Sequence, residues 1–313
     1  MSDIIRPIAQ QGDESLSLIS LPMDRPGFQE FLGSWLLQSP RETVLVDCGV
    51  TGTYDSLKGA LAELGAAPDL LLLTHVHLDH SGAAGCLSRD FLDMKVFCFE
   101  KAAKHLVNPE KLWNATAATL GEQMAAAYQP PLPIPAERII GRDGLPAAWK
   151  VLDTPGHAAH HVSFLRDFAG LRICFGGEVL GVIAGQGCTS WFIDGVRRDG
   201  LRPATPPKYV PAVGAASMKL IASEPWDLFC AGHFGASRDR GLPERALDQI
   251  ALWERKIALA LECGLEESEI VTYMTLTDPE LSDIKYYTPG DRERELYFLG
   301  NSVRGFIQYL SEQ

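Results

Sequence analysis

The chain has 313 residues, 46% of them hydrophobic and 22% charged, an ordinary balance for a soluble globular enzyme with room for one large domain or a domain plus an appendage. Its net charge of −12, from 28 basic and 40 acidic residues, argues against a binder of nucleic-acid backbone, which needs clustered Lys and Arg. No apolar stretch approaches the roughly 20 residues that cross a bilayer, and the opening Met1-Ser2-Asp3-Ile4-Ile5-Arg6-Pro7 lacks the basic-then-apolar pattern of a secretory signal. Seven dispersed cysteines form no C-x-x-C pair, and Phe97-Cys98-Phe99 and Ile173-Cys174-Phe175 read as reduced core positions. The expectation is a cytoplasmic protein with a small-molecule substrate and neither a nucleic-acid nor a membrane partner; a homodimer is left open.

Three strand-like runs open the chain, at 16–21, 31–37 and 43–46. The last runs into Asp47-Cys48-Gly49, where a carboxylate at a strand end is either an ordinary turn residue or a buried group that needs partners. Residues 56–64 have helical spacing and stop at Gly65. The apolar run Leu70-Leu71-Leu72-Leu73 reads as a buried strand and leads directly into Thr74-His75-Val76-His77-Leu78-Asp79-His80-Ser81-Gly82. On an extended chain, alternate positions place His75, His77 and Asp79 on one side, while His80 points elsewhere as the chain turns into a helix. Imidazole and carboxylate are good ligands for zinc, iron or manganese. The rival reading, Asp79 as a plain helix cap, accounts poorly for three of eight histidines within six residues.

A strand at 95–99 precedes helical segments at 101–107 and 110–128, closed by Pro130-Pro131-Leu132-Pro133. Strands return at 149–152, 161–165 and 171–175. Between them, Thr154-Pro155-Gly156-His157 is followed by His160 and His161, of which His161 reads as structural and neither as a ligand. The irregular stretch from Glu178 to Pro207 holds Trp191 and Phe192, which either shape a substrate pocket or anchor the loop; Trp113 carries the same two readings. A helix at 211–222 and a strand at 228–230 lead to Cys230-Ala231-Gly232-His233. Beyond it, Ile250, Trp253, Ile257 and Leu261 share one helical face and Leu296, Leu299, Val303, Phe306 and Leu310 another. Residues 243–313 therefore read as a helical cap packed on a domain of 1–242.

The motif His75-x-His77-x-Asp79-His80 resembles the signature of the metallo-β-lactamase superfamily, and Thr154-Pro155-Gly156-His157, Phe175-Gly176-Gly177-Glu178 and Cys230-Ala231-Gly232-His233 resemble its later ligand motifs, in order. The resemblance implies an α/β fold, the αββα sandwich of that family, here with a C-terminal helical appendage. It implies two divalent metal ions, zinc first and iron or manganese as alternatives. His75, His77 and His157 would hold one and Asp79, His80 and His233 the other. Glu178 would bridge where the family usually has Asp, and Asp47 would support the metal loop. A metal-bridging hydroxide oriented by Asp79, the candidate catalytic residue, would then attack a small ester-like substrate: thioester, ester or lactone. Other members of the fold are di-iron redox or oxygen-binding proteins, sulfur dioxygenases, phosphodiesterases and ligand-sensing effectors. The cap is similar to that of quinolone-signal thioesterase-like members, which would bring Asn301, within Phe298-Leu299-Gly300-Asn301-Ser302, toward the metals.

Overall fold

Alternation along the strands splits the core into two layers, and that split dictates the architecture. In the computed structural model, residues 3–184 and 200–313 are described, together with the backbone of 192–193 and 196–197. The strands β1 (Ile5–Gln11), β2 (Glu14–Ser20), β3 (Gly33–Gln38) and β4 (Thr43–Val46) pair antiparallel in turn. β5 (Leu70–Leu72), β6 (Lys95–Phe97) and β7 (Ile139–Ile140) then extend the sheet parallel to β4. A second sheet uses β8 (Lys150–Asp153), β9 (Val162–Phe168) and β10 (Leu171–Gly177). The next segments, β11 (Val182–Ala184), β12 (Phe192–Ile193), β13 (Val196–Arg197) and β14 (Gly200–Arg202), form two small two-stranded pairs, β11 with β14 and β12 with β13. With β15 (Leu228–Ala231) and β16 (Ala236–Ser237), the second sheet has the order β16-β15-β10-β9-β8.

Trp35, Leu37, Val44, Val46, Leu70, Leu72 and Phe97 of the first sheet form one apolar cluster with Val162, Phe164, Phe168, Ile173, Phe175, Leu228 and Cys230 of the second. Their odd-register neighbours Leu36, Leu45, Leu71 and Val96, and Leu165, Cys174 and Phe229, belong to the other cluster. Two sheets packed face to face with helices outside satisfy both faces at once. Phe164 sits in the sandwich between Phe97 (5.5 Å) and Trp149 (6.2 Å), and Trp35 Nε1 donates across it to the Ala231 carbonyl at 3.0 Å. Leu57 and Leu61 of α1 (Tyr54–Glu63) meet the outer-facing cluster; α2 (Leu78–Ser81) is a single turn, and α3 (Ala84–Asp90) adds Leu87.

The insertion after β6 carries α4 (Ala103–Val107), α5 (Glu110–Leu120) and α6 (Glu122–Tyr128). The single helix expected over 110–128 is broken at Gly121, whose φ of +80° no helix accommodates. Later in the chain α7 (Pro211–Ser223) and α8 (Leu242–Glu262) pack on each other, and α8 also touches β14. They are followed by α9 (Glu267–Thr277) and α10 (Pro289–Ser311). Trp253 and Ile257 of α8, Ile270 and Met274 of α9, and Leu299, Val303 and Phe306 of α10 bury in the same core as α1 and α7. A buried charge cluster ties α10 down: Glu295 accepts from Arg202 Nε at 2.8 Å and Arg294 Nε at 3.0 Å, and Arg294 also donates to the Gly27 carbonyl. β1 had no counterpart among the expected strands; it is a half-exposed edge strand, polar and interrupted by Pro7. Among the described residues no helix is long and apolar enough to cross a membrane. Six described cysteines are unpaired, five of them buried.

Candidate metal centre

Each candidate ligand lies just past the C-terminal end of a strand, where chain leaving the sheet is free to turn its side chains inward. His75, His77, Asp79 and His80 follow β5, His157 follows β8, Glu178 follows β10 and His233 follows β15. They form two donor sets, His75, His77, His157 and Glu178 in one and Asp79, His80, Glu178 and His233 in the other, each with its ligand atoms within 4.8 Å of one another. Glu178 belongs to both. Its Oε2 lies 2.9 Å from His157 Nε2, 3.4 Å from His80 Nε2 and 3.5 Å from His75 Nε2, while Oε1 lies 3.5 Å from His233 Nε2. Asp79 Oδ2 stands 3.7 Å from His233 Nε2 and 3.8 Å from His80 Nε2.

Alternation on an extended chain explains only His75 and His77. His77 is still extended, but Leu78–Ser81 is one helical turn, so Asp79 and His80 turn away together toward the second set. The N-cap of that turn is His77, with no side-chain capping bond, and Asp79 lies inside the turn. Close approach of backbones makes room for the ligands at two glycines. A Cβ on Gly177, at φ +55°, would meet His161 Nε2 at 2.5 Å, and one on Gly232 would meet His80 Cε1 at 2.8 Å.

The far nitrogen of four ligand imidazoles is held by a protein group. His75 Nδ1 lies 3.1 Å from Thr74 Oγ1, His80 Nδ1 2.9 Å from Asp47 Oδ2, His157 Nδ1 3.0 Å from the Ala204 carbonyl, and His233 Nδ1 3.1 Å from the Phe31 carbonyl. That arrangement aims each Nε2 lone pair at the centre. The Nε2 atoms of His75 and His80 are buried with no hydrogen-bond partner among the described residues. Orphaned buried nitrogens beside carboxylates are what a divalent cation satisfies, so the residues fit two such ions. Asp47, in a left-handed conformation at φ +56°, is the brace beneath: it accepts from Thr74 N and Thr74 Oγ1, both at 2.8 Å, besides His80. His161 positions Glu178, bonding Thr154 Oγ1 through Nδ1 at 2.8 Å and accepting from Glu178 N at 3.1 Å.

Burial, with the neighbouring His80 charge, holds His75 well below the usual imidazole value, and burial with His157 does the same for His77, so both are neutral donors at pH 7. Burial would lower His80 as well, but the Asp79 and Asp47 carboxylates outweigh it and raise it. Burial would raise Glu178, and the His157 and His233 imidazoles outweigh it and hold the carboxylate ionised.

The two donor sets open into a cavity of about 560 Å³. Asn301, Ser302 and Phe298 of α10 line it. Trp113 does not line it: Leu112, Ala115, Thr116 and Thr119 are the α5 face that does, and Trp113 packs on the core beside them. Trp191 and the Phe192 side chain lie outside the described residues. Sequence reasoning passed over Tyr128, Phe31, His105, Lys111, Lys208 and Arg304, all cavity-lining. None sits in a ligand-like spacing; only the fold gathers them. His160 also lines the cavity, held at a pKa of about 4 by burial and the His157 charge.

Comparison with known proteins agrees with this geometry. The family profile of the metallo-β-lactamase superfamily matches residues 34–233. The chain is 27% identical over 150 residues to a hydroxyacylglutathione hydrolase of Albidiferax ferrireducens, covering 47% of itself and only 46% of that relative. It is 24% identical over 244 residues to a hydroxyacylglutathione hydrolase of Cupriavidus metallidurans, covering 76% of itself and 77% of that protein. An archaeal metallo-β-lactamase superfamily protein from Sulfolobus tokodaii superposes with a TM-score of 0.65 at 20% identity, over 93% of this chain and 98% of its own. A matched profile running from β3 to His233, the last residue of the second donor set, places this chain in the metallo-β-lactamase superfamily.

Proposed function

We propose that the chain is a metal-dependent hydrolase of small thioesters or esters. The observation that carries this reading is the sharing of Glu178 between two donor sets on the floor of a cavity large enough for a small acyl substrate. His75, His77 and His157 would hold one cation and Asp79, His80 and His233 the other, with zinc favoured by the imidazole-rich donors. Two such cations supply a polarised carbonyl and a water of lowered pKa. Relatives named for hydroxyacylglutathione, a thioester, support acyl–sulfur bonds as the first class to try.

The chain's own residues do the rest. Asp79, with its carboxylate part-exposed at the cavity, accepts a hydrogen bond from the attacking water and orients it. Oxygen then bonds to the acyl carbon and the carbon–sulfur bond breaks. One water proton leaves with the thiol and the other is released from the new carboxylic acid. Phe298 and Leu112, apolar and facing the cavity, exclude bulk water around the acyl chain. The test is metal content by mass spectrometry together with thioester, ester and lactone turnover by the zinc-loaded chain. Two metals per chain and acyl-bond turnover are expected; a metal-loaded protein inert toward all three classes would overturn the reading.

A further inference from the structure

The charge around the cavity is one-sided in a way the composition does not foreshadow. Acids outnumber bases 40 to 28 in the chain, yet among the described residues the only carboxylates lining the cavity are Asp79 and Glu178, both in the metal cluster. Every other charged lining group is basic: Lys111 from α5, Arg202 and Lys208 from the segment before α7, and Arg304 from α10, with His105 nearby. Arg202 is already engaged by buried Glu295. Lys111 and Lys208 are exposed and, among the described residues, have no carboxylate within ion-pair distance. Arg304 is half-exposed and divides itself between Glu267 at 2.9 Å and Asn301 at 2.8 Å. Burial and the charges of Lys104 and Lys111 together lower the pKa of His105, so the field of Lys111 reaches into this wall.

Exposure orders these groups. The metal cluster is at the buried floor, and the three cations stand at the solvent-facing mouth. Other stretches of wall are apolar, with Val76, Leu112, Leu120 and Phe298. A low-dielectric cleft rimmed by one sign of charge concentrates ligands of the opposite sign. We propose that the cavity selects an amphiphilic anion: an acyl compound whose carbonyl reaches the metal floor, whose chain lies on the apolar wall, and whose far end carries a carboxylate or phosphate held by Lys111, Lys208 and Arg304. The position of the acyl bond rests on the hydrolase reading; the preference for an anionic end does not.

The experiment separates the two. Non-hydrolysable ketone analogues of S-hexanoyl-N-acetylcysteamine, ending in a methyl, a carboxylate or a phosphonate, are titrated calorimetrically into the zinc-loaded full chain at low and high salt. At low salt an anionic end should tighten binding roughly tenfold over the methyl end, since three weak exposed contacts act together. High salt should erase most of that advantage. The Lys111→Gln/Lys208→Gln variant, altered only at exposed side chains, should reduce it to under threefold while binding the methyl ligand as before. The tighter of the two anionic ligands names the group. Equal affinity for all three ends, or an undiminished preference in the double variant, would overturn the proposal. Turnover of the parent thioesters is read separately: charge-selective binding without turnover refutes the hydrolase and leaves the anion preference standing.

Discussion

The floor and the mouth of the cavity are built by opposite rules. On the floor, four of the candidate ligand imidazoles have a second nitrogen fixed by Thr74, Asp47, Ala204 or Phe31, and the candidate ligands follow the ends of four strands, each paired within one of the two sheets. At the mouth, Lys111, Lys208 and Arg304 come from two helices and a loop with exposed side chains, Arg304 held only by the exposed Glu267 and Asn301. Groups oriented by a buried partner suit chemistry that needs preorganisation, whereas long exposed cations suit recognition of a charge without a fixed shape. The division predicts that floor variants lose metal and turnover together, while mouth variants alter only substrate preference.

The largest effect should follow Glu178→Gln, which keeps the size of the one carboxylate common to both donor sets and removes its charge. At least one metal per chain should be lost, with thioester hydrolysis falling about a thousandfold, on the order of 4 kcal/mol. Glu178→Asp keeps the charge and should retain two metals. Mass-spectrometric stoichiometry of both variants decides the matter: full occupancy in Glu178→Gln would show that the carboxylate does not bridge.

Next in size is Glu295→Gln, which strikes the joint between mouth and floor rather than either surface. It leaves Arg202 and Arg294 facing a neutral amide in a buried site, and removing one member of such a cluster costs about 3 kcal/mol. Burial would raise Glu295, but Arg202 and Arg294 outweigh it and hold its carboxyl below the usual range. A folded value depressed in this way contributes stability that is fully present above the unfolded value of about 4.3 and is lost as pH falls through the folded one. Urea midpoints measured from pH 7 downward should therefore fall less steeply in Glu295→Gln than in the parent chain. Parallel curves would mean the pair contributes nothing to the acid response.

Asp47→Asn should come third. Asp47 receives three hydrogen bonds spread over both its oxygens, and an amide has one accepting oxygen, so its NH2 must face either the Thr74 N–H or the Thr74 hydroxyl and His80. Loss of a buried partner that orients a ligand typically costs 10–100-fold in metal affinity, about 1.4–2.7 kcal/mol. Competition with a chromophoric chelator measures it, and an unchanged dissociation constant would remove Asp47 from the supporting role.

How much of this was legible before the fold was known follows the same division. The floor was legible because its residue types are rare and closely spaced; His75, His77, Asp79 and His80 announce ligation whatever surrounds them. Alternation nonetheless does not place Asp79, because the chain already turns helical at Leu78–Ser81. The apolar faces of α8 and α10 were legible from 3.6-residue spacing, whereas α9 buries only Ile270 and Met274 and so shows no comparable stripe. The mouth was not legible. Lys111, Lys208 and Arg304 are scattered across nearly two hundred positions and resemble any solvated Lys or Arg until tertiary packing brings them to one rim. Trp113 shows the converse. Its sequence carried two readings, pocket wall or anchor; the face lining the cavity is the one carrying Leu112, Ala115 and Thr116, and Trp113 packs on the core.

The smallest expected effect tests whether mouth and floor communicate at all. Phe31 is stacked on both sides, against His233 at 4.0 Å with 12° between the planes and against Phe298 of α10 at 5.0 Å with 22°. Its carbonyl also fixes His233 Nδ1. Phe31→Leu keeps the backbone carbonyl and most of the buried area but removes both stacks, each worth about 0.5–1.5 kcal/mol beyond burial. If the stack transmits the position of α10 to the ligand, the variant should bind metal a few-fold more weakly in the second set and lose part of its dependence on α10. A variant with Phe298→Leu added should then cost little more than Phe31→Leu alone, because the contact between the two is already gone. Additive losses in that double-mutant cycle would mean the rings merely fill space and that the cap influences the substrate without influencing the metals.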